Sequence, residues 1–295
     1  MPKAVTDLLQ ILDLEKIEEN LFRGRSPQVG WQRVFGGLVI AQALVAAQRT
    51  VPHAPAHSLH CYFLLGGDPS VPIIYNVANL RDGRSFATRR VEAIQHGRVI
   101  FALSASFHEP EQGLDHAHAM PDAPMPEDLP DEAAFLARYG DMMPEPVRRY
   151  FERERPIEVR PIDAGRYVKR GMQDDPIQKV WVRTSSPLPD DPAIHRAAMA
   201  YLSDMTLLDT ALIPHGKSVF HKEIQAASLD HALWLHRPFR ADEWMLYVQD
   251  SPSGSGGLGF SRGAIYTREG ALVASMAQEG LIRLRRGEID GKEQW

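Results

Sequence analysis

Residues 34–48 read VFGGLVIAQALVAAQ, and this stretch decides the fold. Apolar side chains at Leu38, Ala41 and Leu44 recur at helical spacing after the Gly36-Gly37 pair. No helix breaker follows until Pro52. The stretch therefore predicts a helix of about four turns, a length that suits the centre of a domain.

Strand patterns follow this helix between residues 57 and 109. The turn signals Asp82-Gly83 and His96-Gly97 separate three extended runs, at residues 73–81, 85–95 and 98–107. In the last run the larger apolar residues occupy every second position, namely Val99, Phe101, Leu103, Ala105 and Phe107. This alternation predicts an antiparallel meander with one buried face.

The same order of elements recurs in the second half of the sequence. Asp191-Pro192 is a helix-opening pair, and the helix that it opens is predicted to run through Leu212. Strand patterns follow at residues 228–234, 244–249, 259–267 and 271–283. We therefore predict an α+β protein with halves at residues 1–110 and 161–295, joined by a proline-rich and acidic linker at residues 111–160.

Short segments of the two halves also resemble one another. Residues 57–59, HSL, resemble residues 227–229, ASL, and the turn and strand at 96–102 resemble those at 269–274. The first match places Ser58 opposite Ser228, and aligning Ala102 with Ala274 places Ser106 opposite Gln278. Each half is thus expected to be a central helix wrapped by an antiparallel sheet.

Composition and charge exclude several classes of protein. The formal charge is −5 and no long run of Lys or Arg is present, so nucleic acid is not expected as a partner. Cys61 is the single cysteine, which excludes an internal disulfide. The most apolar stretch, residues 38–47, is about half of the ~20 residues that span a bilayer. Without a visible export signal, we expect a cytoplasmic protein with no membrane partner.

Nearly the whole chain resembles the acyl-CoA thioesterase II family. The segments that carry the resemblance are VFGG (34–37), HSLHCYF (57–63), LRDGRSF (80–86), SD (203–204), SLDH (228–231), HRPF (236–239) and SMAQEG (275–280).

The resemblance implies a double hot-dog fold and hydrolysis of fatty acyl-CoA without a cofactor. The family's aspartate, hydroxyl residue and glutamine around a nucleophilic water fall on Asp204, Ser228 and Gln278. Ser228 stands where threonine is common in the family, and both residues supply one hydroxyl. The resemblance also implies a homo-oligomer, either a dimer or a tetramer. For the oxyanion we assign the backbone amides of Gly36 and Gly37, at the start of the first central helix.

The residues themselves leave structural roles open for each of the three. Asp204 lies on a mostly apolar helix face. Instead of a base, it could be a surface carboxylate at the edge of that face or a partner for a buried hydroxyl. Gln278 shares a strand face with core-type residues, where its amide could hydrogen-bond to the backbone of a β-bulge. Ser228 opens a predicted strand, where a hydroxyl is commonly a cap. Asp209 points to another face and is interpreted as solvated or structural.

Other chemistries lack their motifs. The G-x-S-x-G nucleophile elbow is absent, as are H-E-x-x-H and C-x-x-C, so a serine hydrolase of the α/β type and a zinc site are disfavoured. His57 and His60 should point to opposite faces of a strand, although His57 retains a supporting role as a hypothesis. Gly254, Gly256 and Gly259 match a dinucleotide fingerprint, but a strand follows them instead of a helix.

Two alternative functions stay open. A hot-dog acyl-CoA hydratase or dehydratase would need a histidine and a carboxylate at one site, and Asp230 and His231 alternate across a strand. A non-catalytic acyl-CoA binding protein is the second alternative, because a fold does not fix a function. We also expect one catalytic site per chain, since the helix at residues 35–48 contains no acid and Ser106 replaces the glutamine.

Overall fold

The predicted central helix is confirmed, and it spans Gly36–Gln48 (α2). The computed structural model describes residues 3–27, 33–163, 165 and 177–285. Within α2, residues 37–44, 46 and 47 are buried, so the helix is surrounded by protein on nearly every side. An N-terminal helix, Lys3–Leu12 (α1), packs Val5, Leu8 and Leu12 into the same core.

The antiparallel meander of the first half is also confirmed. Its strands are Glu15–Glu18 (β1), Leu21–Gly24 (β2), Ala56–Phe63 (β3), Ile73–Asp82 (β4), Phe86–Gln95 (β5) and Arg98–His108 (β6). They lie in the order β1-β2-β4-β5-β6-β3, and each neighbouring pair is antiparallel. His96 and Gly97 both have positive φ, which is the backbone that the tight β5–β6 turn requires.

The segment that the sequence marks as a linker carries two short helices. These are Glu132–Tyr139 (α3) and Glu145–Glu152 (α4), and they share a small core of Phe135, Met143, Val147 and Phe151. The side chain of Asp131 caps α3 by accepting a hydrogen bond from the amide of Ala134. The division of the chain at residues 110 and 160 stays a prediction.

The second half repeats the helix and the sheet. Its helices are Pro192–Ser203 (α5) and Leu207–Thr210 (α6). Its strands are Ile157–Pro161 (β7), Gln178–Thr184 (β8), Ile224–Ser228 (β9), Asp230–Leu235 (β10), Met245–Ser255 (β11), Leu258–Thr267 (β12) and Leu272–Leu284 (β13). As predicted, Asp191 caps α5, and Pro192 occupies its first turn.

One strand pair joins the two halves. β3 lies antiparallel to β10, with Tyr62 opposite Asp230 and Ser58 opposite Trp234. In the described part of the chain, the result is one sheet of thirteen strands in the order β1-β2-β4-β5-β6-β3-β10-β13-β12-β11-β8-β7, with β9 also beside β13. The two central helices, α2 and α5, pack against each other inside this sheet.

Two predicted boundaries in the second half are wrong. The helix does not run through Leu212, because α5 ends at Ser203 and Thr206 adopts a left-handed backbone with φ of 65°. Reciprocal hydrogen bonds with the buried Gln249 side chain hold Thr206 in this strained conformation. The strand predicted from residue 228 is also interrupted, since Ser228 ends β9 and β10 begins at Asp230.

The glycine-rich segment near residue 256 forms a hairpin, as expected. β11 continues to Ser255 and β12 begins at Leu258, so Gly256 and Gly257 form the turn with positive φ. A strand follows the glycines, and the helix that a dinucleotide site needs is not there. Among the described residues, no helix is both long and apolar enough to cross a membrane.

A buried polar cluster fixes α2 to its surroundings. Gln42 is fully buried, and its side-chain nitrogen donates to the backbone oxygens of Ile11 and Arg25 at 2.8 and 2.9 Å. Its side-chain oxygen accepts from the Tyr75 hydroxyl at 2.7 Å. All these polar atoms are buried together, so the loss of one leaves its partner unsatisfied.

We therefore expect Tyr75→Phe to lower the free energy of unfolding by about 1–3 kcal/mol, because the Gln42 oxygen loses its donor inside the core. Urea titration followed by circular dichroism measures the change. The matched control is Tyr62→Phe, at a tyrosine that is 62% exposed, and its effect should stay within about 0.5 kcal/mol. Equal effects in the two variants would contradict a structural role for the cluster.

Candidate active site

The candidate site forms where the end of α5 meets the beginning of α2. Asp204 is the C-terminal cap of α5, and its carboxylate accepts a hydrogen bond from the backbone amide of Gly37. A carboxylate is stabilised at the N-terminal end of a helix, where free amides and the helix dipole are favourable. The sequence predicts Asp204 inside a helix, whereas the structure places it at a helix end.

Glycine is required on the α2 side of this contact. A Cβ atom on Gly37 would lie 2.3 Å from the backbone oxygen of Tyr201, and one on Gly36 would lie 2.6 Å from Asp204 Oδ2. Both distances are shorter than van der Waals contact allows. The Gly36-Gly37 pair therefore permits the close approach of the two helices that brings the carboxylate to the amide.

The structure brings Asp204, Ser228 and Gln278 together. The Gln278 Nε2 atom donates to Asp204 Oδ1 at 2.8 Å and to Ser228 Oγ at 2.6 Å. Ser228 Oγ in turn lies 3.5 Å from Asp204 Oδ1. Strand register explains the convergence, because Ser228 at the end of β9 lies opposite Gly280 of β13, two residues from Gln278 and on the same face.

Burial sets the electrostatics of the group. Desolvation raises the pKa of Asp204 from its ordinary value of 3.8 to about 6, while hydrogen bonds from Gln278, Gly37 and Ser228 act in the opposite direction. The Asp204 and Ser228 residues keep partial exposure, whereas Gln278 is buried. At neutral pH the carboxylate is therefore ionised, more basic than an ordinary aspartate and within reach of water.

His231 belongs to the same group, and sequence reasoning missed it. Its Nε2 atom lies 2.9 Å from the hydroxyl of Ser203, and its ring interacts with the Gln278 side chain. Burial lowers the pKa of His231 to about 4, so the imidazole is neutral at physiological pH. The sequence places both residues on strands, but only the pairing of β10 with β13 makes them neighbours.

His57 lies elsewhere, on the outward face of the first half. Its Nε2 atom lies 2.9 Å from Ser106 Oγ, and its ring contacts Phe86 and His108. A β-bulge between residues 56 and 58 makes His57 an extra residue in β3, so strict alternation fails there. The prediction that His57 and His60 point to opposite faces is therefore wrong. In the described residues no contact links His57 to the Asp204 group, so the supporting role of His57 stays a hypothesis.

Asp209 is structural. It is 7% exposed and accepts a hydrogen bond from the backbone amide of Val219 at 2.7 Å, which fixes the segment after α6. Among the residues that the structure describes, no three His, Cys, Asp or Glu side chains are grouped closely enough to hold a metal ion.

The two halves correspond one residue out of register from the sequence alignment. In β6 the buried residues are Ile100, Phe101, Leu103 and Ala105, and in β13 the same pattern falls on Val273, Ala274, Met276 and Gln278. Ala102 therefore matches Ser275 and not Ala274. The alignment fails because a shift of one residue moves a side chain to the other face of a sheet.

In the correct register none of the three polar groups is repeated. Gln278 corresponds to Ala105. Ser228, which lies opposite Gly280, corresponds to Ala56, which lies opposite Phe107. At the C-terminal cap of α2 the residue that corresponds to Asp204 is Arg49. Neither Ser58 nor Ser106 matches the candidate site, contrary to the sequence alignment.

Comparisons with known proteins agree with this architecture. Residues 22–108 match the model of the acyl-CoA thioesterase N-terminal domain, and residues 146–281 match that of acyl-CoA thioesterase. Acyl-CoA thioesterase 2 of Haemophilus influenzae is 40% identical over 96% of this chain and 99% of its own. The chain belongs to the acyl-CoA thioesterase II family. Family membership makes it a thioester hydrolase by class, as predicted.

Human acyl-coenzyme A thioesterase 8 is another relative of this family, 39% identical over 93% of this chain and 88% of its own. The crystal structure of acyl-CoA thioesterase II TesB2 from Mycobacterium marinum is 44% identical and covers 95% of this chain and 100% of its own, with a TM-score of 0.78. A protein with a hot-dog fold from Alicyclobacillus acidocaldarius, 20% identical, has a TM-score of 0.76 over 95% of this chain and 99% of its own. The predicted double hot-dog fold is confirmed.

We expect Gly36→Ala to lower the kcat/KM of thioester hydrolysis by about 10-fold to 10²-fold, because the new methyl group displaces the Asp204 carboxylate. Steady-state kinetics on an acyl-CoA measures the effect, with thermal unfolding to verify the fold. The control is Gly113→Ala, where a Cβ atom meets nothing within 4 Å. Parent-like activity in Gly36→Ala would show that the position of the carboxylate does not matter.

Proposed function

We propose that this protein hydrolyses fatty acyl-CoA to the free fatty acid and CoA, using a water molecule held by Asp204, Ser228 and Gln278. One observation carries the proposal: a single amide nitrogen, Gln278 Nε2, bonds both the Asp204 carboxylate and the Ser228 hydroxyl. Three polar groups therefore surround one point beside a carboxylate of raised pKa. Relatives named acyl-CoA thioesterases support the substrate class.

The proposed reaction is a direct attack by water. Asp204 accepts a proton from the water, and the water oxygen bonds to the thioester carbonyl carbon, which gives a tetrahedral oxyanion. Collapse of this intermediate breaks the carbon–sulfur bond and releases the CoA thiolate. The proton on Asp204 then passes to the thiolate or to solvent, which restores the carboxylate. Gln278 cannot take up the proton at neutral pH, so its role is to hold and orient water.

The hydrogen bonds of Ser228 favour a water-holding role over a nucleophilic one. Its oxygen accepts from Gln278 at 2.6 Å, whereas its distance to the Asp204 carboxylate is 3.5 Å, at the limit of a hydrogen bond. A serine nucleophile needs a base in close contact with its hydroxyl. The proposed mechanism therefore has no acyl-enzyme.

For the oxyanion we propose the N-terminal end of α2. The Gly37 amide already donates to Asp204, so it is committed to positioning the base. The Gly36 amide, one residue earlier, is the donor that the proposal assigns to the oxyanion, with support from the helix dipole.

The alternative functions find less support. A hydratase or dehydratase needs its histidine to reach substrate, but His231 is 1% exposed, bonded to Ser203 and behind Gln278. The dehydratase domain of PpsC from Mycobacterium tuberculosis, at 10% identity and a TM-score of 0.53, shares the fold alone. A binding protein without activity has no use for a basic carboxylate held beside a hydroxyl and an amide.

We further propose one catalytic site per chain. Arg49, Ala56 and Ala105 stand in the first half where the second half has Asp204, Ser228 and Gln278. That half lacks a base, so it is assigned to shaping the acyl or CoA pocket. A cytoplasmic location and assembly as a dimer or tetramer stay predictions from the sequence.

Replacing Asp204 with Asn should reduce kcat by about 10²-fold or more while KM changes little, because the shape remains and the base is lost. Loss of acyl-CoA measured over time gives both constants. Asp209→Asn, at another buried acid, should retain kcat. Substantial turnover in Asp204→Asn would contradict the assignment of the base and of a single site.

Ser228 gives a second prediction, because its hydroxyl and its shape can be separated. Ser228→Thr should keep kcat within about threefold of the parent, whereas Ser228→Ala should lower it by about tenfold or more. The same kinetic assay measures both variants. Strong and equal losses in both would indicate a packing effect and remove the hydroxyl from the mechanism.

The pH dependence of kcat/KM follows from the raised pKa of Asp204. Hydrolysis needs the carboxylate, so the rate should fall about tenfold per pH unit below a pKa of about 6 and level off above it. Thioester absorbance follows the reaction without a thiol reagent, and circular dichroism at each pH controls for unfolding. An acid limb near 3.8, the ordinary value for an aspartate, would contradict the raised pKa of Asp204, and a rate that does not fall with pH would mean that Asp204 is not the base.

A further inference from the structure

His231 and Gln278 are direct neighbours on adjacent strands. β10 pairs with β13 so that Ala232 lies opposite Ala277, and the next pair in this antiparallel register is His231 with Gln278. Both side chains are buried, each at 1% exposure. Side chains opposite each other on one face of a sheet have Cβ atoms about 5 Å apart, so the imidazole lies beside the amide.

Two buried polar atoms in this pair form no hydrogen bond of standard geometry in the described part of the chain, either to each other or to another group. One is His231 Nδ1, and the other is Gln278 Oε1. The opposite end of each group is already bonded, since His231 Nε2 contacts Ser203 Oγ and Gln278 Nε2 contacts Asp204 and Ser228. A buried polar atom without a hydrogen bond is costly, so these two are each other's natural partners.

The Ser203 hydroxyl has two acceptors within reach, His231 Nε2 at 2.9 Å and the backbone oxygen of Ala200 at 3.0 Å, so the contact with Gln278 decides the tautomer of His231. Gln278 Nε2 faces a carboxylate and a hydroxyl, so Oε1 faces the imidazole and can only accept. His231 must then carry its proton on Nδ1. The other ring nitrogen, Nε2, is then an acceptor, and in this arrangement the Ser203 hydroxyl donates to it at 2.9 Å and not to the backbone oxygen of Ala200.

We infer that His231 is a positioning residue, whose Nδ1–H donates to Gln278 Oε1 and so holds the Gln278 amide with its nitrogen toward Asp204 and Ser228. This inference rests on the proposed function. An amide turned by half a rotation would place its oxygen against the Asp204 carboxylate, where two acceptors repel. The imidazole prevents that rotation, because the turned amide would present its NH₂ group to Nδ1–H, donor against donor.

The ionisation of His231 agrees with this role. Burial lowers its pKa to about 4, and the hydrogen bond with Gln278 acts in the opposite direction, as an acceptor at the imidazole would. The ring is thus neutral, which permits a single proton at Nδ1 and a free lone pair for Ser203.

Two substitutions of the same shape separate the hydrogen bond from packing. Asn and Leu are nearly isosteric, and the Asn amide nitrogen occupies the place of Nδ1 while Leu offers no donor. His231→Asn should keep kcat within about threefold, and His231→Leu should lower kcat by about tenfold or more with KM within about twofold. Equal kcat values in the two variants would overturn the inference.

A double-mutant cycle tests whether His231 acts through Gln278. In a Gln278→Ala background, His231→Leu should cause no further loss of kcat, because the amide to be positioned is gone. The same fractional loss in both backgrounds would overturn the inference. The cycle also separates the two proposals: parent-like kcat in Gln278→Ala alone would contradict the proposed function, whereas a slow Gln278→Ala with parent-like His231→Leu contradicts only the role of His231.

A measurement on the unaltered protein covers the case in which His231→Leu does not fold. Long-range proton–nitrogen NMR of the histidine rings reports which nitrogen carries the proton, and the His231 signal is the one absent from His231→Asn. We expect the proton on Nδ1 at neutral pH. A proton on Nε2 would overturn the inference.

Discussion

The hydrogen bond from the Gly37 amide to the Asp204 carboxylate is the contact on which the site depends. It requires the last turn of α5 to lie against the first turn of α2, at a distance that leaves no room for a Cβ atom at Gly37. It also gives a buried carboxylate the stabilisation that offsets part of its desolvation. The pKa of Asp204 stays raised, at about 6, which suits the base that we propose there to neutral pH.

The break after α5 is equally important for the site. If the helix continued as its sequence suggests, Asp204 would point from the middle of a helix and its neighbours would block access to the beginning of α2. The left-handed Thr206, held by Gln249, ends the helix at Ser203. Strain at this residue is therefore the structural cost of presenting the carboxylate at a helix end.

Duplication of a fold does not duplicate a site. Both halves have a central helix and a meander, yet Arg49 at the end of α2 turns outward to bond Asp13 and the backbone of Leu14. At the C-terminal cap of its central helix the first half thus has a guanidinium where the second half has the Asp204 carboxylate, which is the basis of the single site that we propose. β3–β10 pairing brings both halves into one sheet, and the Asp204 group of the second half contacts the beginning of α2.

The sequence predicts the central helices, the meanders and the three residues Asp204, Ser228 and Gln278, because helical spacing, turn pairs and family motifs are local signals. Strand register and backbone breaks are not local. No glycine or proline occupies the bulge at His57 or the left-handed position at Thr206, so the sequence gives no local signal for either. The one-residue shift between the halves likewise has no local signal. His231 was missed for the same reason, since its partner lies on a strand 47 residues away whose register only the folded sheet defines.

Direct attack by water is the central claim, and a single turnover in oxygen-18-labelled water tests it most directly. Excess enzyme is mixed with a fatty acyl-CoA, and the reaction is quenched during the turnover. Mass spectrometry then measures the masses of the fatty acid and of the protein peptides. The proposed mechanism predicts one labelled oxygen in the fatty acid, no label in the Asp204 carboxylate and no acyl group on any peptide. An acyl adduct on Ser228, or label in Asp204 with an unlabelled first product, would contradict it.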